Sequence, residues 1–378
     1  MRRVPPAAWH GFVLLAVVLS AGAAHAALED SVFVYDLFAG KPACAQIEQR
    51  LAALDLRPTV LLSVEQGPAF IPATPEGREQ VACAVRALRR GKHHVKAMLL
   101  QDPGFLKDRS AAVQRVHAAA TLPGIEGLLI DVEPYTDPDW DCGKPEVRRQ
   151  IAAGYVDLLR TLRSVADPMP LEAAVAWWMP GMEGVPEFAT PRLADAADGL
   201  YLMLYGDEGG PLVGATVADV AGRIPGSSEM LHRARVYFAL ARYESPSPEA
   251  LNETIGGLRR LYGKTQGFRG TAVFHAGSRY NARRMRILSG VVTDAEGNPV
   301  PNAQLEMAGV TTRANICGQF LLRGMQRDSA ELVVTAPGYR RVLQYVPLRP
   351  AGYQTEIPPI RLAIGPTFSE RPQLRGGN

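Results

Sequence analysis

The sequence predicts an α/β fold, a closed (β/α)8 TIM barrel, followed by a C-terminal all-β sandwich. Three observations carry this expectation. Eight short apolar, strand-like runs alternate with helix-like segments between residues 32 and 275, which is the count and span of a closed parallel barrel. The helix period then disappears, and residues 286–363 read as short alternating strands broken by turn dipeptides. Finally, the strand-like runs end repeatedly in acids or aromatics, where parallel barrels place their chemistry.

The first residues stand apart from that pattern. Arg2 and Arg3 precede an apolar core from Phe12 to Leu19, and Ala24-His25-Ala26 supplies an A-x-A-like cleavage site. This is the layout of a secretory signal peptide over residues 1–26, with a mature chain starting at Ala27 and a periplasmic or secreted protein as the result. The apolar core is too short for a stable membrane-spanning helix. No Cys stands directly after the cleavage point, where Ala27 is found, which argues against a lipid anchor there, and no later run of about 18 apolar residues occurs.

The barrel is expected over residues 27–282. Its strand-like runs are Val32–Asp36, Thr59–Glu65, Val95–Asp102, Ile125–Glu133, Leu171–Trp178, Gly199–Tyr205, Val236–Ala241 and Gly270–His275. The helix-like segments between them are Cys44–Leu56, Pro75–Arg90, Lys107–Ala120, Glu146–Ala166, Pro191–Ala197, Gly214–Arg223 and Pro248–Tyr262. An open doubly wound sheet is the alternative. It would call for a Gly-rich phosphate loop after the first strand, where V-Y-D-L-F-A-G-K-P offers one Gly.

The fourth run is the most informative. Residues 123–135 read P-G-I-E-G-L-L-I-D-V-E-P-Y, an aliphatic stretch ending in two carboxylates. Residues two apart on a strand share a face, so Gly127, Leu129, Asp131 and Glu133 point one way and Leu128, Ile130 and Val132 the other. Two acids side by side at the tip of a buried strand are costly unless something uses them. The rest of the rim has a matching composition. Asp36, Glu65, Asp102, Tyr205 and His275 stand at or just past strand ends, Trp177 and Trp178 end the fifth strand, and Glu244 follows the seventh in A-R-Y-E-S-P. Acids that move protons, beside flat rings that stack on sugar faces, are the inventory of a carbohydrate site. Asp36 and Asp102 suit helix caps equally well. One of the adjacent tryptophans must face away if the strand continues, and His275 suits an oriented, hydrogen-bonded rim position.

Charge and cysteines bound the partners. The chain carries a formal +3. The leader holds two of those charges, and residues 283–378 hold 12 Lys+Arg against 7 Asp+Glu, or +5, which leaves about −4 for residues 27–282. An acidic larger part argues against nucleic acid. The basic smaller part suits contact with an anionic envelope surface. The four cysteines are Cys44, Cys83, Cys142 and Cys317. Cys44 and Cys83 fall in the first two predicted helices, neighbours in a barrel, which favours that pairing. Cys142 and Cys317 would then tie the two domains or stay free. No Cys/His spacing has the form of a zinc site, so no metal and no cofactor are expected, and His93-His94 reads as surface.

The C-terminal residues G-V-V-T-D-A-E-G-N-P-V-P-N-A-Q-L (290–305), T-T-R-A-N-I-C-G-Q-F-L-L-R-G (311–324) and A-P-G-Y (336–339) resemble the carboxypeptidase regulatory-like domain, a transthyretin-like sandwich. The resemblance covers nearly the whole of residues 286–364 and implies a non-catalytic, accessory module. Family members carry Asp or Asn just before the Gly of G-x-F; here Cys317 stands there, which implies a special role for it, such as a disulfide. A disordered tail is expected over 365–378.

The barrel resembles the glycosidase-like superfamily that includes the family eighteen chitinases. Their fourth strand carries D-G-x-D-x-D-x-E, where this chain has E-G-L-L-I-D-V-E (126–133), and their sixth ends in M-x-Y, here M-L-Y (203–205). The resemblance implies Glu133 as general acid, Asp131 as its partner and Tyr205 lining a sugar site. Leu129 replaces one acid of that pattern. The chain also resembles exported bacterial barrels with an I-D-V-E-P-Y-like fourth strand and an aromatic-His eighth strand, which implies a site and no particular substrate. The expected function is that of an exported glycoside hydrolase-like protein acting on a polysaccharide or oligosaccharide, with Glu133, Asp131 and Glu244 catalytic. Tyr205, Trp177, Trp178, Glu65, Asp36 and His275 would line the substrate. The alternative is a non-catalytic carbohydrate-binding envelope protein that keeps the cleft.

Overall fold

The structure, a computed structural model, describes residues 28–205, 216–224, 227–242, 245, 247–274, 286–325, 329–349 and 354–365. The predicted signal peptide lies outside these residues, as do residues 366–378 of the predicted tail. So do Glu244 and His275.

Eight parallel strands close into a barrel: β1 (Glu29–Val34), β2 (Thr59–Ser63), β3 (His94–Leu99), β4 (Gly127–Ile130), β5 (Leu171–Ala176), β6 (Gly199–Met203), β7 (Val236–Ala241) and β8 (Phe268–Phe274). Each pairs with its sequence neighbours, and β8 returns to β1. The seam is a glycine position. Gly270 sits opposite Glu29 with φ near +144°, and a Cβ there would lie 1.7 Å from the Glu29 carbonyl oxygen, so no larger residue fits that backbone.

The helices form the outer layer: α1 (Cys44–Ala52), α2 (Pro75–Arg90), α3 (Arg109–Ala120), α4 (Pro145–Ala166), α5 (Thr190–Ala196), α6 (Val217–Gly222), α7 (Ser227–Arg233) and α8 (Pro248–Tyr262). Their ends follow local chemistry. The Thr74 hydroxyl accepts from the Gly77 amide at 3.0 Å before Pro75 opens α2, and Ser247 caps α8 through the Ala250 amide at 3.2 Å. One helix escaped the sequence pattern: β6 and β7 are joined by both α6 and α7. A short hairpin, Glu65–Gln66 with Ala69–Phe70, also follows β2 without a sequence signal.

Strand register sorts the barrel interior into layers. Lys96 pairs with Gly127, Leu129 with Glu172 and Tyr201 with Tyr237, so these residues face inward together. The lower layer is polar. The Lys96 ammonium lies 3.0 Å from Glu29 and 2.9 Å from Glu172, donates to the Tyr201 hydroxyl at 3.2 Å, and stands over the Tyr237 ring. Burial alone would raise the Glu29 carboxyl; the Lys96 charge and hydrogen bonds outweigh it and hold Glu29 below its ordinary range.

Beyond the barrel lies a β-sandwich. One sheet holds β9 (Arg286–Thr293), β12 (Gln319–Met325), β15 (Gln354–Glu356) and β16 (Ile360–Arg361). The other runs β11 (Val310–Arg313), β10 (Gln304–Met307), β13 (Ser329–Thr335), β14 (Val342–Pro347). Leu288, Val292, Leu305, Met307, Leu332 and Val334 fill the space between them. Two disulfides are present. Cys44–Cys83 joins α1 to α2 as favoured from the sequence, and Cys142–Cys317 ties the barrel to the sandwich. Both fit an oxidising compartment. Among the described residues no helix is long and apolar enough to cross a membrane.

Candidate active site

The fourth strand ends earlier than its sequence suggests. Regular pairing stops at Ile130, and Asp131 to Glu133 continue as extended chain beyond it. The Asp131 amide still donates to the Leu99 carbonyl at 3.0 Å, so the alternation of faces persists past the strand. Asp131 therefore lies inside the barrel mouth, 9 % exposed, with Glu133 half-buried above it. Pro134 then turns the chain into a short 3₁₀ segment, Pro134–Thr136, with a second at Trp140–Cys142.

Four tyrosines surround the acids. The Tyr35 hydroxyl, at the end of β1, donates to Asp131 Oδ2 at 3.3 Å. Tyr135 donates to Glu133. Tyr205 stacks on Phe274 at 5.1 Å between ring centres, and Phe274 meets Tyr35 edge-on at 5.2 Å. Tyr155, from α4, is buried beneath and donates to the Ala174 carbonyl at 3.1 Å. Burial, and then the nearby carboxylates, push the Tyr35, Tyr135 and Tyr155 phenols far above their usual range, so all three stay protonated donors.

The two carboxyls respond to the same surroundings. Burial raises Asp131 well above the carboxylate range, and the charges of Glu133 and Glu65 add to it, against a lowering hydrogen bond from Tyr35. Burial also raises Glu133, against a lowering hydrogen bond from Tyr135. Both directions are upward, and burial is the first cause of each. The pair thus holds on to a proton where an isolated carboxylate would have lost it.

The other expected residues divide. Trp178 packs edge-on against Tyr135 at 5.0 Å and tilts against Trp140 at 6.4 Å, forming a wall beside Glu133. Trp177, half-buried, donates its amide to the Met203 carbonyl at the top of β6. Glu65 is at the mouth but engaged: its carboxylate meets Arg115 at 2.6 Å and accepts from the Gln101 amide at 3.1 Å. Asp36 is exposed, with φ near +55°, one residue beyond the inward-facing Tyr35. Asp102 caps a 3₁₀ turn through the Gly104 amide at 2.7 Å. Leu129 is fully buried one layer below Asp131. The site residues that sequence reasoning missed are Tyr35, Tyr135, Trp140, Tyr155 and Phe274. The period-two alternation of β1, Phe33 then Tyr35, is the signal that would have singled out Tyr35 over Asp36. Among the described residues the one Cys/Glu cluster with metal-like proximity is Cys44, Glu48 and Cys83, and its cysteines are spent in a disulfide. Clefts of about 510 Å³ between α2 and α3 and about 330 Å³ bordered by Arg163, Asp198 and Arg235 lie away from the acids.

Residues 287–361 match the model of the carboxypeptidase regulatory-like domain. No curated protein matches the chain. Solved structures similar to it include the following three. A GH18 chitinase from Pseudoalteromonas aurantia shares 12% identity at a TM-score of 0.44, covering 67% of this chain and 96% of that one. The C-terminal domain of a putative chitinase from Desulfitobacterium hafniense DCB-2 shares 13% at 0.41, covering 88% and 93%. The exo-β-1,4-mannosidase Op5Man5 from Opitutaceae bacterium strain TAV5 shares 13% at 0.44, covering 65% and about half of its length, 51%. At these identities and TM-scores they bear on no residue of the site; the closed parallel barrel stands on its own strand pairing.

Proposed function

We propose that this chain is an exported glycoside hydrolase-like protein acting on a polysaccharide or oligosaccharide, with Glu133 delivering a proton to the leaving oxygen and Asp131 assisting it. The observation that carries the reading is the buried Asp131–Glu133 pair at the barrel mouth, beneath a wall of tyrosine and tryptophan. Hydrolysis of a glycosidic bond needs a protonated acid at the leaving oxygen and stabilisation of a cationic sugar. Burial keeps a proton on the pair. Glu133, the more accessible of the two, is the group a sugar oxygen reaches, and Tyr135 orients it. In this scheme the proton shared by the pair sits on Glu133 for transfer, and Asp131, held by Tyr35, carries the negative charge beneath the developing cation. Trp177, Trp178 and Tyr205 supply faces for sugar rings.

A second group completes the reaction in one of two schemes: Glu244 acts as nucleophile or base, or an N-acetyl group of the substrate does so, oriented by Asp131 and Tyr205. Leader and disulfides together support export, and the excess of Arg beyond residue 283 suits an anionic envelope surface.

The test is Glu133→Gln on a glycan panel scored for bound sugar and for new reducing ends. The expected result is a loss of release of roughly 10²–10⁴-fold with binding retained; an unchanged rate refutes both schemes. Glu244→Gln separates them, since substrate assistance predicts a small effect and activity confined to N-acetylated sugars. Leu129, fully buried where the resemblance places an acid, favours a second reading, a binding protein that keeps the cleft. Saturable binding without new reducing ends in the unmodified protein would establish it.

A further inference from the structure

The loop that carries Glu133 into α4 is gripped from the sandwich at three points. Cys142 is bonded to Cys317. The Asn315 side-chain amide donates to the Pro138 carbonyl at 2.8 Å. The Ile316 amide donates to Asp139 Oδ1 at 2.9 Å. Asn315 is 4 % exposed and fully engaged, since its amide nitrogen also reaches Gln319 Oε1 at 3.0 Å while its oxygen accepts from the Cys317 and Gln319 amides at 3.0 and 2.9 Å. Gly318, with φ near +74°, sets the turn that presents this trio; a Cβ there would lie 2.3 Å from the Val292 carbonyl oxygen.

The gripped segment is also the one that furnishes the site. Tyr135, donor to Glu133, and Trp140, packed against Trp178, both lie within Pro134–Cys142. Successive short-range bonds link them: Thr136 amide to Glu133 carbonyl at 2.9 Å, Asp137 amide to Pro134 carbonyl at 3.2 Å, Trp140 amide to Asp137 carbonyl at 2.9 Å. The barrel holds the same segment from the opposite side, through Lys107 to Asp137 at 3.0 Å and to Asp139 at 3.3 Å. Chain connectivity through residues 275–285 already joins the two domains. A further covalent bond landing nine residues past Glu133 therefore does more than keep them together.

We propose that the sandwich is a positioning clamp for the acid-bearing loop, with Cys317 and Asn315 as positioning residues that act on Glu133 through Tyr135 and Trp140. Its catalytic meaning rests on the reading of Glu133 as a working acid; its mechanical content does not.

The test compares the full mature chain with Cys142→Ser/Cys317→Ser, with Asn315→Ala, and with Cys44→Ser/Cys83→Ser as the control that removes the remote disulfide. Two readouts need no substrate. Hydrogen exchange of peptides over 134–143 should speed at least tenfold in the first two variants, with β1–β3 peptides and the control unchanged. The Glu133 carboxyl, followed by carbon NMR among Asp131, Glu65, Tyr35, Tyr135 and Tyr205, should titrate lower, toward the ordinary carboxylate range, as water enters. Asn315→Ala keeps the disulfide and carries the test if the double serine variant does not fold. Unchanged exchange at 134–143 together with an unmoved Glu133 titration would reduce the sandwich to a tether and overturn the clamp. An inactive parent with a loosened loop in the variants would overturn the hydrolase reading alone.

Discussion

Replacing Lys96 with Met tests what holds the barrel together beneath its mouth. The Lys96 ammonium is the shared cation of Glu29 and Glu172, and its side chain is 12% exposed against 2% for Glu172. Removing one member of a buried pair leaves the other charge without compensation, a loss of about 3–5 kcal/mol. The hydrogen bond to Tyr201 and the contact with the Tyr237 ring disappear as well. Methionine recovers part of the packing of the aliphatic stem, so the lower half of that range is expected. For a domain of barrel size this corresponds to a fall in Tm on the order of 6–15 °C. Urea titration followed by far-UV circular dichroism should show a lower midpoint with an unchanged slope. The gap should narrow in acid. The folded Glu29 carboxyl is depressed, so its contribution is present above the unfolded pKa and is lost as pH falls through the folded one. Adding Glu172→Gln should return part of the loss, because the uncompensated charge goes with it. A loss under about 1 kcal/mol, or a double variant no better than the single, would show that the network is not a paired buried cluster and refute the reasoning.

The remaining predictions concern the mouth and the seam. Asp131 and Glu133 have folded-state carboxyls raised above their unfolded values, so between the two the folded chain binds more protons and stability falls as pH rises. Asp131→Asn should accordingly melt higher than the parent at about pH 7.5 and together with it at about pH 3.5; an equal gap at both would count against a buried ionisable pair. Tyr135→Phe removes the hydrogen bond that lowers Glu133, so the Glu133 titration should move further up, and a downward move would contradict the assigned partner. Gly270→Ala forces a Cβ onto the Glu29 carbonyl at the β8–β1 seam and should cost about 4 kcal/mol or more, read by the same urea titration.

Much of the barrel was legible because each strand is a short aliphatic run with its own flanking turn, a local signal. The acid pair was legible for the same reason: Asp131 and Glu133 sit two apart on one such run. What stayed hidden was non-local. Glu65 reads as a rim acid until Arg115, 50 residues away, is folded onto it. Nothing in the sequence near Tyr35 announces Asp131, 96 residues on. The helix α7 escaped because its seven residues, S-S-E-M-L-H-R, are too few to show a period. The polar lower layer was invisible for a different reason. Lys96 and Glu172 look like solvent-facing residues in their strands, and only closure of the barrel brings them together.

The bond between Cys142 and Cys317 also changes the topology of the molecule. It closes the chain into a ring 175 residues around, enclosing β5–β8 and the opening strands of the sandwich. In the chain-entropy view, closing a loop of that size lowers the freedom of the unfolded chain by roughly 5 kcal/mol. A ring has a second property that a linear chain lacks: one scission anywhere between residues 143 and 316 opens it without releasing a fragment. A molecule nicked once in that span keeps its mass on a non-reducing gel and separates into two pieces only after reduction. In an oxidising compartment, which the two disulfides fit, such a chain stays in one piece through a first cut that would divide an open one.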